Sequence, residues 1–161
     1  MAIVDPSEDN QRALKVAVLV GNANIIRILL EDERVDPSVD SNYAARMTRQ
    51  PEVMKMLLQD CRVDPSTQND FAIRMAARDG YTEIVRLLLK DGRSDPSACD
   101  NTSIRLASRN GHIEIVRLLC ADPRVDSSAN NHHALKSASR CRRLDIVHFL
   151  RWKNHELRRI H

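Results

Sequence analysis

Residues Asn101–Cys120 read NTSIRLASRNGHIEIVRLLC, and this stretch decides the fold. Ile104, Ala107 and Ser108 fall at i, i+3 and i+4, one face of a helix, with side chains small enough to let a neighbouring backbone approach. Gly111 stops that helix, because glycine adopts the left-handed conformation without steric cost, and Arg109 in the last turn suits the negative end of the helix dipole. A second helix follows at once, with Glu114 in its favourable first turn. Its residues Ile115, Val116, Leu118 and Leu119 make an apolar stripe too wide to bury against a single partner. A lone helix pair cannot satisfy that stripe, so copies must stack.

The copies are visible along the chain. Asp5, Asp36, Asp64, Asp95 and Asp126 each open a new unit, at spacings of 31, 28, 31 and 31 residues. Self-similarity at a fixed period in this range marks a solenoid of supersecondary units. The units run over 4–34, 35–62, 63–93, 94–124 and 125–153, with a short basic tail at 154–161, and all of it reads as one domain.

The stretch NTSIRLASRNGHIEIVRLL resembles the ankyrin repeat, whose signature is Thr-Pro-Leu-His, then Leu-Ala-Ala, then Gly-His, then a second helix of Val/Ile-Val and Leu-Leu-Leu. The resemblance covers nearly the whole chain, from about Val4 to Lys153, as five units in register. The units are shorter than the usual repeat of about 33 residues. The Thr-Pro-Leu-His box is also replaced, by RALK, YAAR, FAIR, TSIR and HALK from Arg12, Tyr43, Phe71, Thr102 and His133. The family's usual histidine bond between repeats therefore does not carry over. Short units with an Asp-Pro-Ser hairpin look like arrays of large DNA viruses of amoebae, which makes a viral source, and a host cytoplasm, the expectation.

The resemblance implies an all-α fold, an α-solenoid of five ankyrin-type helix-turn-helix repeats joined by short hairpin loops. It also implies a non-catalytic module that binds a partner protein through a concave face, an adaptor or scaffold. In the family that groove is built from hairpin tips and the ends of first helices. Carried over by position, it nominates Gln11, Asn42, Asp70, Asn101 and His132 at the hairpins. On the helices it nominates Leu19, Val20, Arg78, Asp79, Arg109, Asn110 and Arg140.

Composition bounds the alternatives. Aromatic residues are 3% of the chain, so the core is aliphatic. Cys61, Cys99, Cys120 and Cys141 show no paired spacing and read as reduced thiols, with Cys120 on a core column filled elsewhere by Leu30, Leu58 and Leu89. His132, His133, Cys141 and His148 gather in the last unit without a recognised ligand spacing, so no metal and no cofactor is expected. No phosphate loop, nucleophile elbow or HExxH motif occurs, and polar residues that recur with the repeat are the opposite of a catalytic constellation. The start, MAIVDPSEDN, has no basic region leading into an apolar run, and no stretch approaches the length of a membrane span. A soluble protein of cytoplasm or nucleus is the expectation, without a membrane partner.

The net charge is +3, but Arg140–His161 holds seven Lys/Arg against two Asp/Glu, so the rest of the chain is slightly acidic. That balance, the interleaved Asp70 and Asp79 and the few aromatics argue against nucleic acid as the partner. A nucleic-acid role through a basic stripe of Arg78, Arg109 and Arg140 and the tail, Arg158 and Arg159 included, remains the alternative. So does a self-assembling structural role.

The units differ instructively. The first puts Leu19 and Val20 where the third and fourth have Arg78, Asp79 and Arg109, Asn110, so self-association through this unit is the alternative to a monomer. The second lacks three residues between Met47 and Pro51, which predicts a clipped first helix and a second helix opened by Pro51, where a missing N–H costs nothing. The fifth replaces the turn glycine with Arg142 and a core leucine with Arg151, the polar outer face a terminal repeat needs. Lys15, Arg46, Arg74, Arg105 and Lys136 form a basic ladder expected to bridge to carboxylates or carbonyls of the hairpins.

Overall fold

The computed structural model describes residues 6–160, with side chains described for 11–155; Val4 and Asp5, where the first unit opens, and the side chains of Arg158 and Arg159 lie outside the described residues. Among the described residues ten α-helices follow one another in five pairs, with no strand. The pairs are α1 (Pro6–Val20) with α2 (Ala23–Glu31), α3 (Val39–Met47) with α4 (Pro51–Gln59) and α5 (Thr67–Asp79) with α6 (Thr82–Asp91). They continue with α7 (Ala98–Asn110) and α8 (Ile113–Ala121), then α9 (Ala129–Arg140) and α10 (Leu144–Ile160). The chain divides into two compact units, Met1–Ala72 and Ile73–His161, with the boundary inside α5.

In the first unit α1 packs on α2 and α3, and α2 on α4. Its core joins Leu14, Ala17, Val18 and Ile26 to Ala44, Ala45, Val53 and Leu57, with Val35 and Val63 from the connections. In the second unit α7 packs on α8 and α9, while α8 meets α6 and α10. Ile104, Ile115, Leu119, Ile146 and Leu150 are fully buried there. Each such aliphatic side chain contributes roughly 1.5–3 kcal/mol by leaving water, and this burial, rather than helix propensity, holds helices of nine to seventeen residues.

The short second repeat folds as its deletion implies. α3 ends at Met47, Thr48 is its extended C-cap, and Pro51 takes the first turn of α4. In the last pair α10 runs on for 17 residues, against nine for α8, so the basic tail continues the helix through Ile160.

The connections between pairs are not simple hairpins. At four of them three successive residues adopt left-handed helical backbone: Asp40–Asn42, Gln68–Asp70, Cys99–Asn101 and Asn130–His132, with φ between 51° and 60°. None of these residues is glycine. Left-handed backbone costs an L-residue about 1–2 kcal/mol, so the surroundings must hold each triplet in place. A bond from the last residue's N–H back four residues closes every turn, as from Asn42 to Ser38 O at 2.8 Å and from Asn101 to Ser97 O at 2.7 Å.

Candidate interaction surface

Polar side chains fall into two classes, those consumed by the connections and those left facing solvent. The first class is large. In Asp32-Glu33-Arg34, Asp60-Cys61-Arg62, Asp91-Gly92-Arg93 and Asp122-Pro123-Arg124 the arginine folds back on the aspartate two residues before it. Arg62 then donates to Val35 O at 2.8 Å and Leu30 O at 3.0 Å, and Arg124 to Ser94 O at 2.9 Å. Each of these two forks thus ties a connection to the preceding helix pair by donating to carbonyls that no strand N–H serves. Hydrogen bonds from Arg34 hold the Asp32 carboxyl at about 2, and those from Arg62, Arg93 and Arg124 lower Asp60, Asp91 and Asp122 in the same way.

The aspartates that open the units do different work. Asp36, Asp64, Asp95 and Asp126 each accept from the N–H and hydroxyl of the serine two residues on, as at 2.8 Å and 2.6 Å for Ser38. Three members of the basic ladder have partners elsewhere in the turns and helices. Arg46 donates to Ser41 O and Asp40 O, both at 2.8 Å, inside the left-handed turn, and to Gln68 Oε1 at 2.9 Å, while its guanidinium lies over the Phe71 ring at 5.5 Å. Lys15 pairs with Asp40. Arg105 bonds Thr102 Oγ1 at 3.1 Å.

The five residues nominated at the hairpin tips are drawn inward. Asn42 Oδ1 accepts from the Asp64 N–H at 2.8 Å and Asn101 Oδ1 from the Asp126 N–H at 2.9 Å. The Gln11 amide, oriented to satisfy both its atoms, accepts from Asp36 N–H at 3.0 Å and donates to Asp36 O at 2.8 Å. Asp70 is buried, and His132 Nδ1 faces Asn154 Nδ2 at 3.2 Å. The bonded side chains join one connection to the next segment, whereas a groove built by family position would have them facing a partner.

The residues nominated at the ends of the first helices are exposed. In the first unit Leu19 and Val20 are 62% and 72% exposed. Leu19 borders an open cavity of about 230 Å³, left by the clipped α3 and lined also by Val18, Gly21, Met47, Arg49 and Gln50. In the second unit Arg78 is held by Asp79 at 2.6 Å and 3.0 Å. Asn110 Nδ2 donates to Arg78 O at 2.6 Å and the His112 ring meets the same carbonyl at 3.0 Å. His112, from the Gly-His turn, thus supplies a bond between repeats that the missing box histidine does not. Gly80 is required beneath it: φ is +86°, and a Cβ there would lie 2.6 Å from the ring. Arg109 and Arg140 are exposed and make no ion pair among the described residues.

No group of His, Cys, Asp or Glu able to hold a metal ion occurs among the described residues, nor is any described helix long and apolar enough to cross a membrane. The family model for ankyrin repeats (3 copies) matches residues 41–129 and again 73–159. The chain belongs to the ankyrin-repeat family. No curated protein matches it. Ankyrin repeats are generally non-catalytic modules for binding other proteins, so the surface that matters is the one the repeats leave free.

Proposed function

We propose that this ankyrin array is an adaptor that binds an acidic segment of a partner protein through the ends of the first helices in its second unit. The observation that carries the reading is the pair Arg109 and Arg140, one repeat apart, exposed and without ion-pair partners among the described residues. Arg78, in the same column, is already neutralised by Asp79. Asn110, anchored on the Arg78 carbonyl, fixes the backbone beside Arg109, so little ordering is lost when a carboxylate docks. In the first unit Leu19 and Val20 add a separate apolar contact at the corresponding positions.

The test is a pull-down from cell lysate at two salt concentrations, with and without nuclease, read by mass spectrometry. A discrete protein that survives nuclease and is lost with Arg109→Ala plus Arg140→Ala supports the reading. Recovery that vanishes with nuclease, or falls steeply with salt on generic DNA or RNA, transfers the arginines to nucleic acid and overturns it.

A further inference from the structure

α3 has nine residues where α5 and α7, each likewise beginning three residues after its opening aspartate, have 13. Four residues are about one helical turn, and the cavity of about 230 Å³ between the ends of α1 and α3 occupies that space. Both its walls belong to the first unit, at the Val20 end of α1, roughly 20 Å along the helix from Pro6. Leu19 lines it and Val20 is the exposed neighbour. Exposure in this column is a property of the position, because Arg78, Asp79, Arg109 and Asn110 are exposed although a further helix pair follows each. The lining combines apolar Val18, Leu19 and Met47 with polar Arg49 and Gln50. Among the described residues Arg49 is exposed without an ion pair and no acidic side chain lines the cavity; Glu52 lines a separate groove with Arg27 and Lys55. Gln50 stands at the position of His112 and Arg143, whose side chains meet the carbonyls of Arg78 and Arg109. Its own side chain packs over Gly21, where a Cβ would overlap the amide, and it bonds Thr48 through main-chain atoms, so the side-chain amide is free among the described residues.

We propose that this notch docks a peptide segment of a partner protein, with an apolar side chain in the cavity and a neighbouring aspartate or glutamate on Arg49. The volume sets the first element. It is below the roughly 300–1,000 Å³ of small-molecule sites, so it takes a side chain rather than a whole ligand. Charge sets the second, since an unpaired guanidinium beside an apolar wall matches a carboxylate and rejects a cation. The free Gln50 amide adds a donor and an acceptor side by side, the complement of a peptide group. The site builds on the apolar contact of Leu19 and Val20 in the reading above and is independent of Arg109 and Arg140.

Random peptides displayed on phage and selected on the full chain carrying Arg109→Ala plus Arg140→Ala are expected to share an apolar residue next to aspartate or glutamate. A synthetic peptide of the enriched sequence should bind this chain and the wild-type chain equally in fluorescence polarisation. It should also shift the Met47 methyl resonance of protein labelled with 13C-methyl methionine. Arg49→Glu, at an exposed position, should weaken binding by at least about tenfold because like charges then face each other, and lysine in place of the peptide's acid should restore binding to that variant. Leu19→Ser, also at an exposed position, should weaken it as well; far-UV circular dichroism establishes that each variant is folded. No enrichment, enriched peptides without an acidic residue, binding indifferent to Arg49→Glu, or a Met47 methyl that does not move overturns the proposal. A lysate partner lost with Arg109→Ala plus Arg140→Ala, together with failure of the peptides, overturns this site alone, whereas peptide binding without such a partner overturns the earlier contact alone.

Discussion

Ser103 and Ser108 lie in α7 with their hydroxyls fully buried and without a hydrogen-bond partner. Replacing each with alanine keeps the Cβ, so packing is unchanged while the desolvated hydroxyl disappears. An unsatisfied buried group costs about 1–3 kcal/mol, and alanine adds roughly 0.5 kcal/mol of helix propensity over serine. Together these come to about 1.5–3.5 kcal/mol, and each substitution should raise the unfolding free energy by the lower part of that range, about 1.5–2 kcal/mol, because the change also acts on the unfolded chain. The third repeat already has Ala72 and Ala77 in these columns, both buried. Urea unfolding followed by far-UV circular dichroism should show a higher midpoint at unchanged slope for either variant, and melting temperature should rise by roughly 2–4 °C per kcal/mol. A midpoint that falls for either variant would mean that its hydroxyl is bonded, and would refute the reasoning.

Other perturbations address the connections. Arg124→Ala removes the fork with Asp122 and the bond to Ser94 O, and should cost about 2 kcal/mol in urea unfolding, with Arg124→Lys recovering little because a point charge cannot fork. Asp32, Asp60, Asp91 and Asp122 all have lowered folded-state values, so their contribution is present above the unfolded carboxyl value near 4 and is lost as pH falls toward the folded one, about 2 for Asp32. Melting temperature should thus drop on going from pH 5 to pH 2, roughly the window those values set, and less so in a chain carrying Asp60→Asn and Asp122→Asn. Burial pushes the Cys120 thiol up to about 11, whereas Cys61, Cys99 and Cys141 are exposed. A thiol reagent at neutral pH should label those three at once and Cys120, partly buried, more slowly, and equally rapid labelling of all four in the folded protein would contradict the burial.

Much of the fold is legible in the sequence because helical period, Gly111 and Pro51 act locally. Those signals place α7, α8, the clipped α3 and the start of α4 where the chain has them. The left-handed turns are not legible in the same way. Their residues, Asp-Ser-Asn, Gln-Asn-Asp, Cys-Asp-Asn and Asn-Asn-His, include the types most tolerant of positive φ, but no glycine announces them. What holds such a turn is remote: Arg46 reaches back to Asp40 O and Ser41 O, and Thr67 Oγ1 reaches the Ser41 carbonyl at 3.0 Å. A signal was nonetheless available in the recurrence of Asp-x-Arg before the opening aspartates, since a pair repeated in each connection has a structural task.

The same logic separates the two kinds of polar column in the candidate surface. Asn42 and Asn101 look like hairpin-tip ligands until the backbone is counted. A connection without a strand partner leaves the N–H groups of Asp64 and Asp126 wanting acceptors, and a short amide at the end of a left-handed turn is placed to serve them. Recurrence of a polar residue in such an array therefore points first to the connection it closes. Arg109 and Arg140 recur too, yet their side chains close nothing among the described residues, and that contrast is why the proposed contact rests on them and not on the hairpin tips.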